Sequence, residues 1–276
     1  MAALLLQPAR KGPWRATEDY GGRTNSHEGD STVSDYTVET EHARLDTVAQ
    51  TYSTRRGFNR PLIEYGFNTL QRYFTGGSCL EMGSADGTMT QLLVDHFAQL
   101  TVIEGSEKYC GIVAELMRSR PEVSVVHTLF EEFQPEQPFQ TIVASHVLEH
   151  VEDPVAVMRR VRDWTADDGV FLPMVPNAHS FNRLMGVKMG MIETPDELVE
   201  GDHAVGHRRV YTLDSFTADL EAAGWKVRET GGVMFKPLSN AQIDEWYTPE
   251  MIEACYQLGN DFPQNAGDIF AVCDPA

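Results

Sequence analysis

The sequence lacks long apolar runs, paired cysteines and an excess of positive charge, and each absence excludes a class of protein. No apolar run approaches the roughly 18 residues that a membrane-spanning helix needs. The 4 cysteines form no Cys-x-x-Cys pair and no zinc-type spacing, so we predict neither a metal site nor a disulfide scaffold. The apolar start is ended by Gln7 and Pro8, too early for a signal peptide, and we expect a cytoplasmic protein.

Negative charge dominates the composition, with 41 acidic residues against 22 basic ones and a formal net charge of -19. A surface of this sign repels phosphate backbones and anionic lipid headgroups. We therefore predict no nucleic-acid partner and no membrane partner, although solubility alone also explains the charge. We expect a small-molecule partner. The C-terminal segment with Lys236-Pro237-Leu238 and the Trp246-Tyr247 pair is expected to shape either a pocket for that partner or a contact in a homo-oligomer.

Short apolar runs alternate with amphipathic segments from residue 78 onward. Seven runs have the length and composition of buried strands: Ser78–Met82, Leu100–Glu104, Val123–Val126, Thr141–Ser145, Val170–Val175, Trp225–Thr230 and Asp268–Cys273. Helical segments separate most of them. This order predicts an α/β fold with a doubly wound, mostly parallel seven-stranded sheet.

Several segments flank or interrupt this alternation. Residues 1–40 mix small polar and acidic residues without periodicity and predict a flexible N-terminal tail. Helical spacing over 41–75, broken at Arg55-Arg56-Gly57, predicts a helical cap before the first strand. The main domain then spans 76–276. Within it, the aperiodic stretch 176–210 predicts a lid, and 240–259 predicts a C-terminal helical segment.

A glycine-containing turn follows the first predicted strand, in the run Glu81-Met82-Gly83-Ser84-Ala85-Asp86-Gly87. Glycines let the backbone approach a ligand, and the next helix offers free N–H groups at its N-terminus. Ligands bind open α/β sheets at this edge. The spacing Glu-x-Gly-x-x-x-Gly differs from the Gly-x-Gly-x-x-Gly of dinucleotide binders. Taken alone, the turn is also explained as an ordinary tight connection.

Acidic and apolar residues end the next two strands. Glu104 lies at the tip of the second strand, where a carboxylate can accept both ribose hydroxyls of an adenosine. Gly105 beside it allows the backbone to meet the sugar. Leu129 and Phe130, after the third strand, supply apolar faces for an adenine ring. Taken singly, Glu104 is also explained as a solvated acid and Phe130 as a core residue.

The fourth strand leads into Ser145-His146-Val147-Leu148-Glu149-His150-Val151. With the glycine turn and Glu104, this run resembles the class I S-adenosylmethionine-dependent methyltransferases, over roughly Ser78 to Val227. The sequence is similar to the branch that holds ubiquinone-biosynthesis O-methyltransferases and natural-product or sugar N- and O-methyltransferases. The resemblance implies a Rossmann-like fold, S-adenosylmethionine as cofactor, and methyl transfer to an amine or hydroxyl of a small molecule, such as a sugar-containing or antibiotic-like metabolite.

The same resemblance implies which residues contact the cofactor. They lie at the strand ends and in the cap: Tyr52, Glu81, Gly83, Ser84, Gly87, Glu104, Gly105, Leu129, Phe130, Ser145 and His146. Ser145 and His146 are expected near the sulfonium or the methionyl end, and Glu81 at the loop or, through water, at the amino group. Arg55 or Arg56 is expected at the carboxylate, although a surface basic pair beside a core Tyr52 explains them equally well.

Two positions depart from the family pattern. Gln140 stands where the family often has an acid before the fourth strand, so the role of that acid is in doubt. The turn Ser84-Ala85-Asp86-Gly87 has one glycine fewer than is common, which tightens the loop but keeps Gly83 and Gly87.

A hydroxyl acceptor calls for a base with a pKa near neutral, for which histidine is suited, whereas an amine needs no dedicated base. His146, His179 and His207 are the candidates, because they fall at a strand end or flank the predicted lid. Each is also explained as a structural residue. Two other functions compete with methyl transfer: an NAD-dependent oxidoreductase, which the glycine spacing disfavours, and a methyltransferase-like binding protein without catalysis.

Overall fold

Helices and strands alternate along residues 37–276, the part of the chain that the computed structural model describes. In chain order they are α1 (Val38–Val48), α2 (Asn59–Leu70), β1 (Ser78–Met82), α3 (Thr88–Leu93), β2 (Gln99–Glu104), α4 (Glu107–Leu116), β3 (Val123–His127), β4 (Phe139–Ser145), α5 (Pro154–Trp164), β5 (Thr165–Pro176), α6 (Phe181–Lys188), α7 (Glu200–Val205), α8 (Leu213–Ala222), β6 (Trp225–Phe235), α9 (Asn240–Trp246), α10 (Pro249–Asp261) and β7 (Ala266–Pro275).

All of these strands belong to one sheet, in the order β3-β2-β1-β4-β5-β7-β6. The strands from β3 to β5 are parallel neighbours, whereas β7 runs antiparallel between β5 and β6. The predicted α/β fold with a doubly wound, mostly parallel seven-stranded sheet is confirmed. The direction of winding reverses between β1 and β4, which opens a crevice at their carboxyl ends.

Alternate residues of each strand face opposite sides of the sheet and build two cores. Along β1, Cys79 belongs to the core that includes residues of α2, α3 and α4, whereas Leu80 and Met82 belong to the core that includes α5 and α8. All three side chains are fully buried. Burial of a large apolar side chain contributes about 1.5–3 kcal/mol. Because helices cover both faces of the sheet, the central strands are nearly continuous runs of apolar residues.

Local capping signals set the helix ends. The Asp153 side chain accepts a hydrogen bond from the Ala156 amide at 2.9 Å, and Pro154 opens α5. Thr248 is extended before Pro249, which opens α10. The helical segment predicted over 240–259 is therefore divided into α9 and α10.

The flanking segments differ in detail from the sequence prediction. α1 begins at Val38, ahead of the predicted cap boundary at 41, and residues 1–36 of the predicted tail lie outside the described residues. The aperiodic stretch 176–210 contains α6 and α7, which the pattern did not indicate. No helix within residues 37–276 has both the length and the apolarity to cross a bilayer.

Candidate active site

A cavity of about 470 Å³ lies at the carboxyl ends of the parallel strands. Its walls come from α1 and the segment after it, the turn after β1, the ends of β2 and β4, the α6–α7 region and the beginning of β7. Eleven of the thirteen predicted site residues line it: Tyr52, Glu81, Gly83, Ser84, Glu104, Gly105, Leu129, Phe130, Ser145, His146 and His207. Gly87 and His179 are not among its lining residues.

The turn after β1 holds three residues in the left-handed region, Gly83 (φ 68°), Ala85 (φ 44°) and Gly87 (φ 86°). Gly83 lines the cavity, and a Cβ there would lie 3.1 Å from the Val147 side chain. Gly87 precedes α3, and a Cβ there would lie 3.1 Å from the Val113 side chain. Gly87 therefore serves the turn and its packing on α4, and its predicted contact with the cofactor stays a prediction.

Glu104 joins the end of β2 to the glycine turn. Its Oε2 accepts hydrogen bonds from the amides of Ser84 (2.9 Å) and Ala85 (3.1 Å), and its Oε1 accepts from the Ser106 amide (2.9 Å). Burial raises the pKa of Glu104, and these hydrogen bonds offset only part of that effect. Since a carboxylate offers about four lone-pair sites, Oε1 keeps capacity for a further donor.

Glu81 is a buried carboxyl group that lines the cavity. Neither of its oxygens has a hydrogen-bond partner of acceptable geometry among residues 37–276. Burial raises the pKa of Glu81 to about 8; the Thr90 hydroxyl lowers it somewhat, and the charge of Glu104 raises it further. An unpaired buried carboxylate costs free energy, so this group favours a cationic ligand atom beside it.

An apolar wall faces these two acids. Leu129 is buried and Phe130 half-buried. A Cβ on Gly105 would collide with the Leu45 side chain of α1, so the backbone there approaches the cap closely. Tyr52 lies at the same end, and its carbonyl accepts a hydrogen bond from the Tyr109 hydroxyl at 2.9 Å.

The predicted carboxylate partners Arg55 and Arg56 are exposed, and neither lines the cavity. Arg44 of α1 does line it, and donates hydrogen bonds to Glu41 and to the Gly206 carbonyl. The structure therefore brings a different arginine of the cap to the cavity from the two that the sequence suggested.

His146 lies at the end of β4 with a left-handed backbone (φ 57°). Its Nδ1 is 3.2 Å from the Ser145 hydroxyl, and its Nε2 is 3.2 Å from Oδ2 of Asp268 on β7. Burial lowers the pKa of His146, but the neighbouring Asp268 carboxylate outweighs burial and the net shift is upward. Lys236, after β6, donates to Asn240 at 3.0 Å, and burial lowers the pKa of its ammonium.

His207 belongs to a second cluster, with Glu149 and His150, whose ligand-type atoms lie within 4.8 Å of one another. Asp202 holds Nδ1 of His207 at 3.1 Å, and the Gly206 carbonyl lies 3.2 Å from Nδ1 of His150. Burial lowers the pKa of His150 to about 3, so this imidazole is neutral at pH 7. The third candidate base, His179, is exposed and lies away from the cavity lining.

Comparison with known proteins identifies the fold and the family. A family model described as a methyltransferase domain matches residues 53–230, more than half of the chain. The chain belongs to the methyltransferase family. Its cofactor is S-adenosylmethionine, and it is a methyltransferase enzyme.

Three proteins show how this methyltransferase relates to others. It is 26% identical over 192 residues to a ubiquinone biosynthesis O-methyltransferase of Paramagnetospirillum magneticum, covering 69% of this chain and 74% of the relative. The solved DhpI-SAM-HEP complex aligns over 88% of this chain and 100% of its own, with TM-score 0.58 and 16% identity. The N-methyltransferase NodS of Bradyrhizobium japonicum, solved with S-adenosylhomocysteine, aligns over 87% and 97%, with TM-score 0.53 and 17% identity.

Sequence reasoning missed several residues of the methyltransferase site. Asp86, within the glycine turn, accepts hydrogen bonds from the Ser53 hydroxyl (2.5 Å) and the Thr54 amide (3.0 Å), which fastens the cap segment to the turn. Asp268 follows no motif and reaches the cavity through the position of β7 in the sheet. A signal for Asp268 existed, since an acid at the start of an otherwise apolar strand is unusual.

Proposed function

We propose that this enzyme methylates an amine or hydroxyl of a polar small molecule, such as a sugar-containing or antibiotic-like metabolite of natural-product biosynthesis. One observation carries the proposal: a single cavity has acids and an apolar wall at the β1–β2 end and a histidine–carboxylate pair at the β4–β7 end. S-adenosylmethionine, when bound, supplies an electrophilic methyl group.

At the β1–β2 end, the residues fit the polar parts of the cofactor. Oε1 of Glu104 accepts a ribose hydroxyl, and Leu129 and Phe130 cover the adenine. The unpartnered Glu81 carboxylate accepts from the amino group, directly or through water. The backbone of Gly83 and Ser84 lies against the methionine part. Arg44 of the cap lines the same cavity, where it donates to Glu41 and to the Gly206 carbonyl.

At the β4–β7 end, the chain binds and orients the acceptor. Proximity and orientation supply about 7–11 kcal/mol of the barrier in well-aligned reactions. For a hydroxyl acceptor, His146 takes the proton, whereas an amine loses its proton to solvent before attack. Lys236 and Asn182 also line the cavity, and they favour a hydrophilic acceptor because the Asn182 side-chain oxygen is buried without a partner among the described residues 37–276.

Replacing Glu104 with Gln removes the negative charge of the group that accepts the hydrogen bond from the ribose hydroxyl. A hydrogen bond to a charged group contributes about 1.5–3 kcal/mol. We expect binding of S-adenosylhomocysteine, measured by calorimetry, to weaken by about 10–100-fold. Glu107→Gln, an exposed neighbour, is the control and should bind normally. Unchanged affinity in Glu104→Gln would reject the assigned cofactor site.

The acceptor is found by screening the enzyme with labelled S-adenosylmethionine against amino sugars, glycosylated phenols and simple amines. A prenylated phenol, the class that the ubiquinone-biosynthesis relatives suggest, belongs in the same panel. Turnover with polar acceptors supports the proposal. Turnover confined to the prenylated phenol would overturn its acceptor part, and cofactor binding without any turnover would favour a non-catalytic binding protein.

A further inference from the structure

We infer that Asp268 is a positioning residue, which holds His146 as the base that takes the acceptor proton. The inference rests on the proposed function and assigns a role to a carboxylate that no sequence motif marks. It comes from the way the sheet brings two distant parts of the chain together at one edge.

The sheet order places the two side chains at the same edge. His146 follows β4, and Asp268 lies at the start of β7, beyond β5. Because β7 is antiparallel, its first residues lie beside the last residues of β5, and Asp268 pairs with Pro176. The gap between Nε2 of His146 and Oδ2 of Asp268 is 3.2 Å.

Both members of the pair are buried and held in place. The Asp268 side chain is 4% exposed and the His146 side chain 15%. The His146 amide donates to the Met174 carbonyl at 2.8 Å, which fixes the backbone. Neither Nε2 nor Oδ2 has another partner among residues 37–276, and the pair itself is short of full hydrogen-bond alignment. A small movement on acceptor binding completes the bond.

Asp268 is the nearest charged group to His146. Among the described residues, the Asp268 carboxylate is the one that lies within 4.0 Å of the imidazole. Glu149 on the following turn acts in the same direction from farther away, and Lys236 after β6 opposes both. The Ser145 hydroxyl faces the other ring nitrogen.

The arrangement fixes which nitrogen acts as the base. A carboxylate can only accept, so the neutral ring carries its proton on Nε2 and keeps a lone pair on Nδ1. Nδ1 then takes the proton from the acceptor O–H, directly or through the Ser145 hydroxyl. The electron pair of that bond forms the new bond to the methyl carbon, and the pair of the C–S bond leaves with S-adenosylhomocysteine. Asp268 stabilises the resulting imidazolium.

The test follows the His146 titration by NMR in the full chain saturated with S-adenosylhomocysteine, with His146→Gln to assign the signal. In Asp268→Asn, the midpoint of His146 should move to lower pH. Asp268→Glu should restore it in part. Asp202→Asn, which removes the partner of His207, should leave it unchanged. A His146 midpoint that is the same in wild type and Asp268→Asn would overturn the inference.

A second readout separates positioning from a merely structural role. With a hydroxyl acceptor found in the screen, the acid limb of the kcat profile should move to lower pH in Asp268→Asn, while the plateau falls about 10–100-fold. A lowered plateau with an unmoved limb would overturn the inference. Absence of all turnover with a normal His146 titration would instead count against the proposed function, because the pair would be formed but unused.

Discussion

At the scale of single residues, Ala85 stores strain in the cofactor turn. Its φ of 44° is a left-handed conformation that costs a non-glycine residue about 1–2 kcal/mol. The strain persists because the Ala85 amide donates to Glu104 at 3.1 Å. The methyltransferase therefore keeps the glycine-type geometry of the turn with one glycine fewer, as the sequence indicated.

Ala85→Gly should relieve that strain. After the larger chain entropy of glycine is subtracted, we expect the free energy of unfolding to rise by up to about 1 kcal/mol. Denaturation in urea measures it. Ala156→Gly, in the first turn of α5, is the control and should destabilise by up to about 1 kcal/mol. A destabilised Ala85→Gly would show that the turn is not strained at this position.

The Glu81 carboxyl should make stability depend on pH. Its pKa in the folded protein is raised from 4.5 to about 8, so the folded state holds a proton that the unfolded state has lost. The stabilisation is complete below pH 4.5 and is lost as pH rises towards 8, at about 1.4 kcal/mol per pH unit. Denaturation of wild type and Glu81→Gln at pH 6 and pH 8 should show this slope in wild type and a smaller slope in the variant. Equal slopes would place Glu81 in a solvated environment.

At the scale of elements, Asp86 connects the segment between α1 and α2 to the turn after β1. Asp86→Asn removes a charged acceptor for Ser53 and Thr54, so we expect a loss of about 1–3 kcal/mol in stability and faster release of S-adenosylhomocysteine. Stopped-flow dissociation and urea denaturation measure the two effects. Asp163→Asn, exposed on α5, should change neither. Normal ligand release in Asp86→Asn would mean that the cap does not depend on this contact.

Most elements were predictable because their signals are local. β1, β2, β4 and most of β5 are buried, so apolar composition alone marks them, whereas β3 is a half-exposed edge strand. The family resemblance indicated most of the residues at the strand tips. Asp268 has a local signal, as an acid in an otherwise apolar strand, but its place beside His146 depends on the antiparallel insertion of β7, which no local pattern specifies. His179 is close to β5 in sequence but is exposed and outside the cavity lining, so its role as a base stays a prediction without structural support.

At the scale of the whole molecule, α1 links the two ends of the cavity. His42 lies 2.6 Å from the Gly105 carbonyl, and Arg208, after α7, reaches Glu41 at 3.1 Å. Arg44 donates to the Gly206 carbonyl at 3.2 Å. Since α1 lines the cavity and contacts both Gly105 after β2 and the segment after α7, its docking connects the two ends of the cavity.

Ligand binding should therefore stabilise the whole molecule and protect α1 most. S-adenosylhomocysteine at about 100 times its Kd should add about 2.7 kcal/mol to the free energy of unfolding. Hydrogen exchange should slow over Val38–Val48 more than over Phe139–Ser145, which is already buried. If the exchange rate of the α1 amides were the same with and without the ligand, this helix would not close over the site.

The place of β7 in the sheet also sets the order in which the two halves of the site are made on the ribosome. β7 is translated after the other six strands, yet it lies between β5 and β6. A nascent chain that has emerged only as far as β6 already carries Glu81 and Glu104 on paired strands, while β5 still has a bare edge. Biosynthesis therefore completes the β1–β2 end of the cavity first, and Asp268, the neighbour of His146, arrives with the last strand of the sheet.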